Sequence, residues 1–235
     1  LIKYKLQYKS YGNNAVLIEW PQQINEDILY NIKSFQAIIE NHLSEFVVEC
    51  IATYASLTII FKNRNYDEIV TKLKALYKNK EVQKTEKGQL WQLPVCYHKS
   101  LGFDLDAYSK AIGLSIKEVI SLHCQSIYTL YFIGFLPGFL YLGNLDEGLF
   151  LNRKSKPKLT IPKGSVGIGG QQTGIYPQAS PGGWHIIGNC PVNLFNLNEK
   201  PPSVFRAGDQ IQFYEISLDD FRQNKFSVLK NMPDA

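Results

Sequence analysis

The sequence predicts an α+β sandwich at the N-terminal end, over residues 1–88, followed by a mainly β barrel over residues 89–235. Three observations carry this prediction. Up to Gly88 the chain reads as two similar halves, each a pair of alternating runs followed by an amphipathic helical stretch. From Gly134 to Gly188 it carries 12 of its 17 glycines, the pattern of tight turns between short strands. Its 235 residues, 45% hydrophobic and 20% charged, follow ordinary globular usage, which excludes a disordered tail, a collagen-like rod and a simple coiled coil.

Taken in order, KYKLQYKSYGNNAVLIEW places a Gly-Asn-Asn turn between two alternating runs and predicts a hairpin. Ile24 to Leu43 then carries Ile28, Ile32, Phe35, Ile38, Ile39 and Leu43 at helical spacing, so one stripe faces a sheet. FVVECIATYASLTIIFK repeats the strand pair, and Tyr66 to Tyr77 repeats the helix through Ile69, Val70, Leu73, Leu76 and Tyr77. Helices on one face of a small mixed sheet make the expected sandwich. NKEVQKTEKG loses the periodicity and marks a linker, with Gly88 as its hinge.

Beyond the linker, QLWQLPVCY predicts a strand, Leu105 to Ala111 and Ile116 to Gln125 two short helices, and SIYTLYFIGF a further strand. The glycine-rich turns follow. FRAGDQIQFYEIS is a turn into a strand, with Asp209 as a turn residue, and DDFRQNK predicts a short final helix.

Several function classes fall away on composition. Cations exceed acids by 25 to 21, split as 12 against 10 up to Gly88 and 13 against 11 beyond it, so no global charge points to nucleic acid. Cys50, Cys96, Cys124 and Cys190 form no C-x-x-C pair, which argues against a zinc ribbon or redox motif and fits a reducing compartment. The longest apolar stretch, Leu130 to Gly143, is too short to span a bilayer and is broken by Pro137 and glycines. LIKYKLQYKSYGNN contains no continuous apolar core of a signal peptide, so the expected location is the cytoplasm. GIGGQQTG lacks the dinucleotide-binding spacing, and no Walker loop, H-E-x-x-H or G-x-S-x-G elbow is written, so no metal site is expected.

Two features carry chemistry. Between Glu147 and Glu199 lie 51 residues without a carboxylate, and the same interval holds Arg153, Lys154, Lys156, Lys158 and Lys163. Cations beside glycine-rich turns suit an anionic ligand or partner, although a solvated basic loop has the same composition. The second feature is GSVGIGGQQTGIYPQASPGGWHIIG. There Gln171, Gln172, Thr173, Tyr176, Ser180 and His185 offer hydrogen-bonding groups beside apolar walls of Tyr176 and Trp184. Glycines required only at barrel corners are the alternative for Gly167 and Gly188. His123 is placed at a helix C-terminus, where the macrodipole favours a positive imidazole in a capping role. Phe132, Phe135, Phe139 and Tyr141 suit either a groove wall or barrel core.

At FIGFLPGFLYLG and IPKGSVGIGGQQTGIYPQASPGGWHIIG the chain resembles the B-type component family of bacterial ATP-dependent 5-oxoprolinase, also catalogued as allophanate hydrolase subunit 1 and as Kip-type sensor-kinase inhibitors. The family pattern GF-x-PGF-x-YLG is matched from Gly134 to Gly143 through Phe135, Pro137, Phe139 and Tyr141. QTGIYP and SPGGW are matched intact, and His123 also matches a family histidine. At the basic loop the family has P-R-x-x-x-P-R. Here Asn152 and Arg153 stand at the first pair and Pro157 and Lys158 at the second, so one bidentate fork becomes a point charge.

The resemblance implies a cyclophilin-like barrel after the α+β domain. It also implies a role as one component of an ATP-dependent lactam hydrolase that opens 5-oxo-L-proline to L-glutamate with a C-type partner and an A-type partner. The chain alone is expected to be inactive, with ATP bound at the partner subunits. Arg153, Lys158, Gln172, Thr173, Tyr176, Ser180, Trp184 and His185 are the expected anion- or substrate-binding residues. His123, Phe135, Pro137, Phe139 and Tyr141 are the expected groove or partner-binding residues. The alternative is a non-enzymatic regulator whose groove binds a sensor histidine kinase through aromatic anchors.

Overall fold

The computed structural model describes residues 3–62, 65–79, 88–223, 226 and 230–231. It divides the chain into two compact units, Leu1–Glu86 and Lys87–Ala235. Most of the linker expected at NKEVQKTEKG lies outside the described residues, as does the end of DDFRQNK.

In the first unit β1 (Gln7–Tyr11) and β2 (Ala15–Glu19) form the expected hairpin, turned at Gly12 with a φ of +68°. Helix α1 (Glu26–His42) starts at Asn25, whose side chain accepts from the N–H groups of Asp27 and Ile28, and carries Glu26 and Asp27 in its first turn. The scheme repeats as β3 (Val47–Ala52), β4 (Ser56–Phe61) and α2 (Tyr66–Lys78), capped by Asn65. Ile18, Ile32, Phe35, Ile39, Leu57, Ile59 and Leu73 are fully buried between sheet and helices. Buried Asn31 is satisfied there by the Trp20 indole at 3.1 Å and the Tyr77 hydroxyl at 3.0 Å.

The sheet has the order β1-β2-β4-β3 and is antiparallel throughout, where a mixed sheet was expected. Each half is a hairpin, and the two hairpins meet through their second strands. Ala15 faces Ile60 and Glu19 faces Ser56, so the halves join head to tail and no parallel pair arises.

The second unit begins with β5 (Leu90–Val95), followed by α3 (Leu105–Ile112) and α4 (Ile116–Gln125). Gly113 ends α3 in the left-handed conformation, and Ser115 with Glu118 forms a capping box on α4. Then come β6 (Ile127–Ile133), β7 (Leu140–Gly143), β8 (Lys158–Ile161), β9 (Ser165–Gly169), β10 (Gln172–Ile175), β11 (Ser180–Gly182), β12 (His185–Asn189), β13 (Gln210–Glu215), α5 (Leu218–Arg222) and β14 (Lys230–Asn231).

Eight of these strands form one sheet in the order β12-β9-β10-β7-β6-β13-β5-β14, while β8 and β11 form a separate ribbon. Just past β5, Cys96 exchanges two hydrogen bonds with Asn189 at the end of β12, at 2.9 and 3.0 Å. The sheet therefore curls until strands from its opposite ends touch. Leu93, Leu130, Leu142, Val166, Ile168, Ile175, Ile211 and Phe213 fill its interior. Asp209 is more than a turn residue: its buried carboxylate accepts from the Trp91 indole at 3.0 Å and from the N–H groups of Gln89 and Arg206. Gly88, read as a hinge, packs its backbone on Gly208 and Asp209, where a Cβ would collide. No helix among the described residues is long and apolar enough to cross a membrane.

Candidate anion-binding groove

The groove is built on Trp184, which stands between β11 and β12 and is 4% exposed. An indole needs space that a strand with side chains does not leave, and glycines provide it. A Cβ on Gly169 would come within 2.5 Å of the indole ring, and one on Gly174 within 2.6 Å of the Leu140 carbonyl and 3.0 Å of the indole. Gly182 leaves room for the Tyr176 hydroxyl in the same way. These glycines lie within strands, so their spacing serves aromatic packing as well as turns.

Phe139, 1% exposed, is the hub of the aromatic cluster. Its ring centroid lies 4.7 Å from Tyr141, 5.1 Å from Tyr176, 5.5 Å from Trp184 and 5.7 Å from Phe135. The contacts with Tyr176, Trp184 and Phe135 are edge-to-face, the arrangement that ring quadrupoles favour. Burial pushes the Tyr176 hydroxyl up to about 12, so it stays protonated at neutral pH and can donate. Phe135 is 61% exposed at the rim and holds a φ of +66°, strained for an aromatic residue. Pro137 is exposed in the same turn.

Arg153, Lys154 and Pro157 complete the lining of a cavity of about 300 Å³. The Arg153 guanidinium carbon sits 5.5 Å above the Trp184 ring, and an Nη donates to Gln172 Oε1 at 3.5 Å. Phe135, Phe139, Tyr141, Arg153, Tyr176 and Trp184, drawn from both sets of expected site residues, thus line one cavity.

The lysines are less free than their spacing implies. Asp104, the N-cap residue of α3, reaches them: its Oδ2 lies 2.5 Å from Lys154 Nζ and its Oδ1 3.4 Å from Lys158 Nζ. The Ile186 N–H also donates to Oδ2, at 2.9 Å. Burial acts to raise the Asp104 carboxyl, but the Lys154 hydrogen bond, the Ile186 N–H and the two lysine charges outweigh it and hold it below the usual carboxylate range. Lys158 is further engaged by the Phe103 ring, 3.6 Å from its Nζ. Lys163 donates to Asn193 at 3.1 Å. The interval without carboxylates in sequence is therefore not without one in space.

His123 and Thr173 stand elsewhere. His123 is fully buried inside the curled sheet, stacked on Phe213 with centroids 4.6 Å apart. Thr173 Oγ1 donates its one proton to the Gly167 carbonyl at 3.1 Å, so it accepts from His123 Nε2 at 3.0 Å. Nδ1 is then the acceptor for the Tyr97 hydroxyl at 2.6 Å. Burial pushes the imidazole down to about 3, so His123 is neutral, and the positive helix cap expected from sequence is corrected. Its place in the core also takes it off the groove surface.

Ser180 and His185 are each engaged by main chain: Ser180 Oγ donates to the Pro181 carbonyl at 3.2 Å and His185 Nε2 to the Asn152 carbonyl at 2.9 Å. These bonds turn the two side chains to separate partners and do not join them as nucleophile and base. Among the described residues no group of three His, Cys, Asp or Glu side chains could hold a metal ion. Sequence reasoning passed over Asp104, and no local signal could have found it, because its partners lie 54 and 82 residues away along the chain.

Comparison with known proteins places this architecture. The chain is 34% identical to the B-type component of the Bacillus subtilis 5-oxoprolinase over 94% of its own length and 97% of the relative. It is 39% identical to the corresponding component from Escherichia coli O157:H7, over 71% of its own length and 77% of the relative. The urea carboxylase of Kluyveromyces lactis superposes with a TM-score of 0.84 at 18% identity, covering 97% of this chain and 24% of that far longer one, a likeness of fold. A family model described as carboxyltransferase domain, subdomain C and D, matches residues 6–205. Matched by that model over most of its length and by the two 5-oxoprolinase components at 34 and 39% identity, the chain belongs to the carboxyltransferase subdomain C and D family.

Proposed function

We propose that this chain is the B-type component of a multi-subunit, ATP-dependent 5-oxoprolinase that opens 5-oxo-L-proline to L-glutamate, working in the cytoplasm with a C-type partner and an A-type partner. The N-terminal unit serves as an α+β sandwich and the second as a cyclophilin-like barrel that carries the site. The observation that supports this reading best is the groove itself, where Arg153 lies over an aromatic floor suited to a small flat ring bearing a carboxylate. A five-membered lactam is a poor electrophile, and phosphorylation of its oxygen supplies a leaving group. ATP is held with the partner subunits. In this chain Arg153 would hold the substrate carboxylate, Trp184 and Tyr176 would orient the ring, and Gln172 would steady the Arg153 guanidinium.

Reconstitution of the three components tests the proposal. Glutamate release that depends on ATP and 5-oxo-L-proline should disappear when this chain is omitted. Arg153→Ala should lower kcat/KM by about 30- to 100-fold, the worth of a charge-assisted contact, while the melting temperature stays close to wild type because the side chain is exposed. Full activity of that variant would sink the assignment of Arg153.

One observation favours a second reading. Phe135, exposed and strained at the groove rim, is suited to anchor a protein partner, as in a Kip-type inhibitor bound to a sensor histidine kinase. Inhibition of kinase autophosphorylation by this chain, together with inactivity in the reconstituted enzyme, would establish that reading instead.

A further inference from the structure

We propose that Asp104 is a specificity-determining residue of the groove. By pairing with Lys154 it leaves Arg153 as the uncompensated cation of the groove lining, so the groove selects a monoanionic carboxylate over a dianion such as phosphate. The inference rests on the groove being the anion site proposed above and names what sets its selectivity.

Asp104 is a fixture of the fold. Its side chain is 11% exposed, its Oδ2 accepts from the Ile186 N–H at 2.9 Å, and its own N–H donates to the Ile186 carbonyl at 3.0 Å. These bonds lock the start of α3 onto β12 two residues beyond Trp184, the groove floor. From there the carboxylate holds Lys154 at 2.5 Å and Lys158 at 3.4 Å. Lys154 lines the groove beside Arg153, whereas Lys158 is outside the lining and lies over Phe103.

Charge accounting then decides the preference. Among the described residues Arg153 makes no ion pair, so of the two cations lining the groove one is neutralised and one is free. One free guanidinium matches one negative charge. A second ligand charge would face the Asp104 carboxylate with no further unpaired cation in the groove lining to compensate its desolvation, because Lys158, the surplus lysine, sits outside that lining over Phe103.

Titration calorimetry on the full chain at pH 8 provides the test, with 5-oxo-L-proline and inorganic phosphate as probes. Asp104→Asn keeps an acceptor for the Ile186 N–H and removes the charge. The ratio of phosphate to 5-oxo-L-proline affinity should rise about tenfold, the effect of one charge at close range in partly solvated surroundings. If that variant does not fold, Lys154→Gln reads the same idea in the opposite sense, since it lowers the groove charge by one and should lower the ratio. Unchanged ratios in the folded variants, with 5-oxo-L-proline still bound by wild type, overturn this inference alone. Failure of wild type to bind 5-oxo-L-proline overturns the anion-site reading and this inference with it.

Discussion

His123 joins four segments of the chain through one imidazole: Tyr97 past β5, its own helix α4, Thr173 on β10 and, through Thr173, Gly167 on β9. Its neutrality has a thermodynamic cost in acid. The folded pKa is about 3 and the ordinary value 6.5, so below pH 6.5 the unfolded chain takes up a proton that the folded chain refuses. Stability attributable to His123 is therefore intact above pH 6.5 and is lost as pH falls from 6.5 towards 3, with a limiting slope of about 1.4 kcal/mol per pH unit. Urea denaturation across that range should show the slope in wild type and its loss in His123→Gln. An identical slope in both proteins would assign the acid sensitivity to other groups. The sequence marked His123 as notable, yet a helix-end histidine reads the same whether its ring turns outward or into the core.

Strand β10 is the element on which groove and core depend together. Thr173 turns inward to His123, Gly174 leaves room for Trp184, and Ile175 packs in the interior. Gly174→Ala would force the Leu140 carbonyl or the indole aside, an overpacking cost of about 1–3 kcal/mol. A lower melting temperature and a shifted Trp184 emission should report it, and an unperturbed spectrum at wild-type stability would show that β10 can yield. That this region is built of short strands was legible from its glycines. The purpose of Gly169 and Gly174 was not, because the Trp184 ring they accommodate is brought against them by strand pairing and not by its place in the same segment.

Across the whole molecule, two separate apolar clusters occupy the two units, one centred on Phe35 and Ile39, the other on Leu130 and Phe213. Separate cores predict separable unfolding. Phe35→Ala, which deletes a fully buried ring, should cost about 3–5 kcal/mol. Calorimetry should show this as a lowered transition for the first unit, with the second unit's transition unchanged. A single transition that moves as one would show that the units melt cooperatively.

The order of strands and helices, the repeated halves of the first unit and the aromatic and basic segments of the groove were determined by the sequence itself. They depend on periodicity, turn residues and motif spacing, which act over a few residues. The tertiary structure alone decided which charges remain available. Asp104 reaches Lys158 from 54 residues away, so the basic loop carries a carboxylate that its own sequence lacks. It also decided that His123 is neutral, since burial on every side, and no neighbour in the chain, sets the ionisation of its ring. Local sequence fixes backbone preference, whereas long-range packing fixes dielectric surroundings and charge pairing, and those two quantities set the chemistry of this groove.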